Sequence, residues 1–177
     1  MPTQRSYEDA CTIARALDVV GERWALLVVR ELLFGPQRYT DLRAALPGAS
    51  SNLVADRLRE LDGHGVVLRR KLAPPAASWV YELTEHGRKL EPVLLALGAF
   101  GVDVPVPPGA HISATSALLY LRQAARPGRR WPVTVCGIQL DEQPFTVRTA
   151  QGRVDVRRGA PQRPVAGLRT TPWGLNE

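Results

Sequence analysis

The stretch SSNLVADRLRELD, residues 50 to 62, carries side chains suited to the edges of bases and the oxygens of phosphates. Asn52 can bond adenine and Arg59 guanine, each through two hydrogen bonds, while the Ser50 and Ser51 hydroxyls and the N–H groups of a helix start can hold phosphate. At 100° per residue, Val54, Leu58 and Leu61 gather on one side of a helix and Asn52, Ala55, Asp56 and Arg59 on the other. The second side is expected to face out, where it could enter a major groove about 12 Å wide. Arg69-Arg70-Lys71 follow on a short strand and supply positive charge for the same polyanion. Asp56 repels phosphate there unless it accepts from a cytosine amino group. The plain alternative is an ordinary solvated helix and strand.

Other reactive groups are few. Cys11 and Cys136 lie 125 positions apart, which matches neither a disulfide framework nor a zinc spacing, so both read as free thiols. Cys11 could sense oxidants if it is exposed and its thiolate stabilised, with Arg15 one turn on; the competing reading is a small apolar residue packed in a helix interface. His64 falls at a helix end, His86 on a later helix and His111 near a proline-rich stretch, with no metal or triad arrangement. No glycine-rich phosphate loop is present. The chain is therefore expected not to be an enzyme and to use no metal or cofactor.

The elements that would position these groups follow from periodicity and punctuation. Ser6 is expected to cap a helix whose stripe is Ala10, Ile13, Ala14, Leu17 and Val20, ended by Gly21. Trp24 to Phe34 is apolar nearly all round except near Arg30 and Glu31 and reads as a central buried helix broken by Gly35-Pro36. Thr40 is expected to cap a short helix, to be followed by a Pro47-Gly48-Ala49 turn and a second helix capped by Ser50; its hydroxyl is counted with the DNA-contacting groups. Val66 to Lys71 and Trp79 to Leu83 read as strands, and Thr84-Glu85 opens a closing helix with Leu90, Val93, Leu94 and Leu97 on its apolar face.

The first hundred residues resemble the HxlR-type winged-helix transcription regulators. The likeness rests on Cys11, on Asp18-Val19-Val20-Gly21 with Trp24, on Tyr39-Thr40-Asp41-Leu42-Arg43, on Leu58-Arg59-Glu60-Leu61, and on Tyr81-Glu82-Leu83-Thr84 with Gly87. It implies a winged helix-turn-helix that binds double-stranded DNA as a homodimer, held by its first and last helices, with Ser50 to Asp62 as recognition helix. Some relatives use a cysteine near Cys11 to sense electrophiles or oxidants. The DNA-contacting set is then Thr40, Ser50, Ser51, Asn52, Ala55, Arg59, Arg69, Arg70 and Lys71. The wing tip, Leu72 to Ser78, is uncharged, so phosphate contacts at the strand are expected in place of minor-groove insertion.

The fold class expected is α+β, an N-terminal winged helix-turn-helix domain followed by a small helix-plus-antiparallel-sheet domain. With 177 residues, 45% of them hydrophobic and 23% charged, the chain is a globular protein of one or two domains. Residues 1–101 carry net charge +1 and residues 102–177 net +5. Between them VDVPVPPGA, residues 102–110, reads as an extended linker. In 111–177 a helix from Ser113 to Arg126 is expected over a meander of Trp131–Leu140, Phe145–Ala150, Arg153–Arg158 and Val165–Thr170. Its excess of arginine is expected on a solvated face and reads as solubility.

This tail is similar to the sterol carrier protein type 2-like domain, through Phe145-Thr146-Val147-Arg148, Gly152-Arg153-Val154, Arg158-Gly159 and Leu168-Arg169-Thr170. The likeness implies a small hydrophobic effector; a lipid-like ligand-binding protein that keeps the winged helix mainly as a dimerisation scaffold is the rival function. No apolar run reaches the roughly 18 residues of a membrane span, and the N-terminus has no secretory pattern, so a cytoplasmic protein without membrane association is expected.

Overall fold

The computed structural model describes residues 6–124, 132–150 and 152–175. The chain divides into two compact units, one from the chain up to Leu32 with Gln37–Leu94, the other from Leu33–Pro36 with the chain from Leu95 on.

The first unit opens with helix α1 (Thr12–Val20), whose N-cap is Cys11. Ser6 does not cap it: its hydroxyl donates to Asp18 Oδ2 at 3.1 Å, and Asp9 Oδ1 accepts from the Cys11 N–H at 2.8 Å. Of the expected stripe only Val20 is buried, and Ile13 and Leu17 stand 70% and 42% exposed. Helix α2 (Ala25–Leu32) starts after Trp24, which takes φ +79°. Glu31 is not solvated as its type suggests. It is 1% exposed, and its carboxylate accepts from Arg30 Nη2 at 2.7 Å.

Helix α3 (Tyr39–Ala45) is capped at Arg38 and not at Thr40, which lies inside its first turn. Arg38 is extended, and Asp41 Oδ2 accepts its N–H at 3.3 Å, so the cap forms two residues earlier than expected. Helix α4 (Ser51–Gly63) follows, with Ser50 accepting from the Leu53 N–H at 3.3 Å. Strand β1 (Val67–Lys71) pairs antiparallel with β2 (Trp79–Leu83) in the register Val67 to Leu83 and Lys71 to Trp79, and Gln37 bridges Tyr81 from the outer side. Val28, Leu32, Leu42, Val54, Leu58, Leu61, Val67 and Val80 form the core where α2, α3, α4 and the hairpin meet.

The expected closing helix is two helices, α5 (Glu85–Arg88) and α6 (Glu91–Gly101). Thr84 caps the first through the Gly87 N–H at 3.0 Å, and Pro92 sits in the first turn of the second, where its missing N–H breaks no helical bond. On α6 only Leu94 is buried, and Val93, Leu97 and Phe100 are exposed.

The second unit contains α7 (Ala114–Ala124) and strands β3 (Thr134–Leu140), β4 (Gln143–Ala150), β5 (Arg153–Arg158) and β6 (Ala166–Thr170), in the order β5-β4-β3-β6. The α+β class holds, but the sheet is mixed: β6 runs parallel to β3, Ile138 beside Leu168, so the last strand is not a meander step. The segment from Gly159 to Val165 carries the chain back across the sheet, which period-two patterning cannot reveal. The expected starts and ends at Arg126 and Trp131 lie outside the described residues. Phe145, Val147, Val154 and Val156 are buried on one face, where α7 meets β5 and Arg158 Nη2 donates to Thr115 Oγ1. An open groove of about 290 Å³ is lined by Gly137, Pro144, Pro161, Gly167 and Leu168 among others.

Candidate nucleic-acid interface

The turn between α3 and α4 is held from both sides. A Cβ on Gly48 would lie 2.9 Å from Trp24 Cη2, so the turn rests directly on the indole and a side chain there would push it away. The Tyr39 hydroxyl donates to the Ser51 carbonyl at 2.7 Å, and Arg43 Nε donates to Ser51 Oγ at 3.2 Å. These two side chains, four residues apart on one face of α3, fix the first turn of α4. Midway along α4, Arg57 Nη1 reaches Glu60 at 2.6 Å and Glu22 at 3.5 Å, which ties the helix to the segment before α2.

With its inner face anchored, α4 presents the expected outer one. Ser51, Asn52 and Arg59 are exposed, Ala55 and Asp56 half-exposed, and Val54, Leu58 and Leu61 buried to within 1%. Asp56 accepts from Arg59 Nη2, an i,i+3 ion pair that gives the carboxylate its role within the helix. Ser50 Oγ is occupied by the Leu53 N–H and Ser51 Oγ by Arg43, so each keeps its own O–H for a phosphate oxygen. Thr40 is exposed, and its hydroxyl lies 3.4 Å from Asp41 Oδ1.

The three basic residues of β1 are not equivalent. Arg69 stacks over Trp79 at 4.5 Å and Tyr81 at 6.0 Å, a cation held by rings that leave its N–H edges open. Arg70 donates to both Glu82 oxygens, at 2.7 and 3.0 Å, and that carboxylate holds the guanidinium above its ordinary pKa. Its charge is offset on the spot. Lys71 is exposed beside the wing loop. Arg38 Nε donates to Ser78 Oγ at 3.1 Å and joins that loop to α3. Tyr39, Arg43 and Arg38 had no place in the expected site. The four-residue spacing on α3 was the available signal for the first two, and nothing local announced the third.

Cys11 is exposed in the single chain. It stands at the N-cap of α1, where the backbone N–H groups of Ala14 and then Ile13 hold the thiol below its ordinary pKa. The helix start supplies this effect, and Arg15 is not among its causes. Among the described residues no three His, Cys, Asp or Glu side chains gather as metal ligands would. Nor is any described helix long and apolar enough to cross a membrane.

The profile of the HxlR-like helix-turn-helix family matches residues 19–105. The HTH-type transcriptional regulator sll1512 of Synechocystis sp. is 38% identical over 93 residues, 52% of this chain and 69% of its own length. The HTH-type transcriptional regulator YodB of Bacillus subtilis is 32% identical over 85 residues, 48% of this chain and 76% of its own. Among solved structures, the redox regulator HypR in its oxidized form aligns with 55% of this chain and 100% of its own, at TM-score 0.51 and 29% identity.

Proposed function

Because the chain belongs to the HxlR-like helix-turn-helix family of transcriptional regulators, we propose that it binds double-stranded DNA as a homodimer with α4 in the major groove. The observation that carries this reading is the outer face of α4, where exposed Asn52 and Arg59 stand beside a helix start bearing two serine hydroxyls. Thr40, Ser50, Ser51, Arg69 and Lys71 hold phosphates, and Asn52, Ala55 and Arg59 face base edges. Arg70 contributes less, since Glu82 already offsets it.

The exposed apolar side chains of α1 and α6, Ile13, Leu17, Val93, Leu97 and Phe100, support the homodimer. Cys11 is the thiol through which oxidants act on it, a reading supported by its exposure, its stabilised thiolate and the likeness to a redox regulator. The groove on the second unit, lined by Pro144, Pro161 and Leu168, is the place for a small apolar effector. A gel shift on DNA from beside its own gene tests the central claim: a shifted species whose sequence preference is lost in Asn52→Ala supports it. Sedimentation of Leu17→Glu and Phe100→Glu tests the dimer. A dimer that persists in both variants counts against the α1 and α6 contact.

A further inference from the structure

The first unit is nearly neutral, and part of its positive charge is taken internally, by Arg30 with Glu31, Arg57 with Glu60, Arg59 with Asp56 and Arg70 with Glu82. Sequence-independent attraction to DNA scales with cations that neutralise phosphates, so this unit supplies only the share carried by contacts such as Arg69 and Lys71. The second unit carries the surplus. On the sheet face turned away from Phe145 and Val156, strand alternation places Arg148 on β4 and Arg153 and Arg157 on the adjacent β5, while Arg169 on β6, across β3, shares the face but lines the groove beside Pro161. All four are exposed.

Their arrangement leaves a locally positive surface. Arg148 sits opposite Asp155, with Arg153 and Arg157 diagonal to it on the neighbouring strand, where like charges repel. Asp155, the acid of this cluster, is taken by Arg157 at 2.9 Å. Among the described residues, the side chains of Arg148, Arg153 and Arg169 make no hydrogen bond or ion pair. A soluble surface needs interspersed charges of both signs; a field of one sign serves steering. We propose that this face binds the phosphate backbone of duplex DNA and adds sequence-independent affinity to that of Arg69 and Lys71, while α4 supplies the sequence preference. The inference rests on the DNA-binding reading above.

The test is anisotropy of the full chain on an arbitrary duplex of about 30 base pairs across a salt series. Arg148→Gln with Arg153→Gln is expected to weaken binding about tenfold at low salt and to reduce the log–log salt slope by about 1.8, near 0.9 per lost contact. The control, Arg88→Gln with Lys89→Gln, removes the same charge from exposed positions on and just after α5. Equal losses in the two pairs, or an unchanged slope in the first, overturn the proposal. So does a first pair that binds DNA normally but loses binding to anionic lipid vesicles. A wild-type protein that shows the full slope without any sequence preference leaves this assignment standing and removes the reading of α4.

Discussion

The Arg69 guanidinium lies 4.5 Å from the centre of the Trp79 ring across the β1–β2 pair, while its neighbour Arg70 is clasped by both oxygens of Glu82. Two adjacent arginines therefore have opposite prospects as phosphate ligands. Stacking orients Arg69 without satisfying its donors, whereas Arg70 must give up a two-point ion pair before it can bind anything else.

Arg69→Ala is accordingly expected to weaken binding to all DNA sequences alike and to reduce the salt slope by about 0.9, and Arg70→Ala to change the slope by much less. Trp79→Ala, which removes the ring and no charge, is expected to lower affinity with the slope kept. Anisotropy titrations at several salt concentrations check all three. Identical slopes for the Arg69 and Arg70 variants would show that Glu82 does not hold Arg70 back.

On α4 the corresponding question is whether Arg59 leaves Asp56 for a base. Asn52→Ala and Arg59→Ala are each expected to cost about 1 to 3 kcal/mol at the cognate site if they make two-point base contacts. Asp56→Asn frees Arg59 and removes a carboxylate from the face, so binding to arbitrary DNA is expected to tighten while discrimination falls. Competition titrations of cognate against arbitrary duplex measure both effects. Unchanged discrimination in all three variants would place base reading elsewhere.

The outer face of α4 was legible because a helical stripe of Val54, Leu58 and Leu61 and a serine cap are both local signals. The start of α3 was not, because Thr40 is the better cap by residue type, while Arg38 is capped through Asp41 and linked to Ser78, forty positions away. Ile13 and Leu17 read as core because an apolar stripe looks the same whether its partner is in the same chain or absent from it. The parallel pairing of β6 was equally hidden. Alternation marks a strand and its faces but carries no direction. The burial of Glu31 on α2 was hidden as well, because a buried carboxylate becomes tolerable only once Arg30 pairs with it.

Gly87 is the position where the scaffold of this interface is least tolerant. A Cβ there would run into the Val66 carbonyl oxygen, which is backbone and cannot swing aside, and would also press on Leu83 Cδ2 at 3.3 Å. Gly87→Ala is expected to destabilise the protein by about 1 to 3 kcal/mol, the usual range for overpacking. Gly63→Ala, where a Cβ meets nothing within 4 Å, is the matched control and is expected to be neutral or slightly stabilising within its helix. Urea unfolding of the two variants decides this, and equal midpoints would show that α5 can move off Val66 and Leu83.

The pH dependence of Cys11 follows from its position at the start of α1. The N–H groups of Ala14 and Ile13 stabilise the thiolate and not the thiol, so the folded pKa lies below the unfolded one. Whatever stability this adds is present above the unfolded pKa and is lost as pH falls through the folded pKa. Reactivity follows the same titration, because the thiolate is the nucleophile. The rate of iodoacetamide alkylation is expected to rise with pH to a midpoint below that of a free cysteine, and unfolding in urea is expected to move the midpoint up. Cys136, for comparison, sits in β3 and is half-buried. Cys11→Ser should remove the low-pH reaction and leave DNA binding insensitive to oxidant. If alkylation at Cys11 has the same midpoint in the folded and unfolded chain, the helix start does not activate the thiol, and the redox reading of this residue fails.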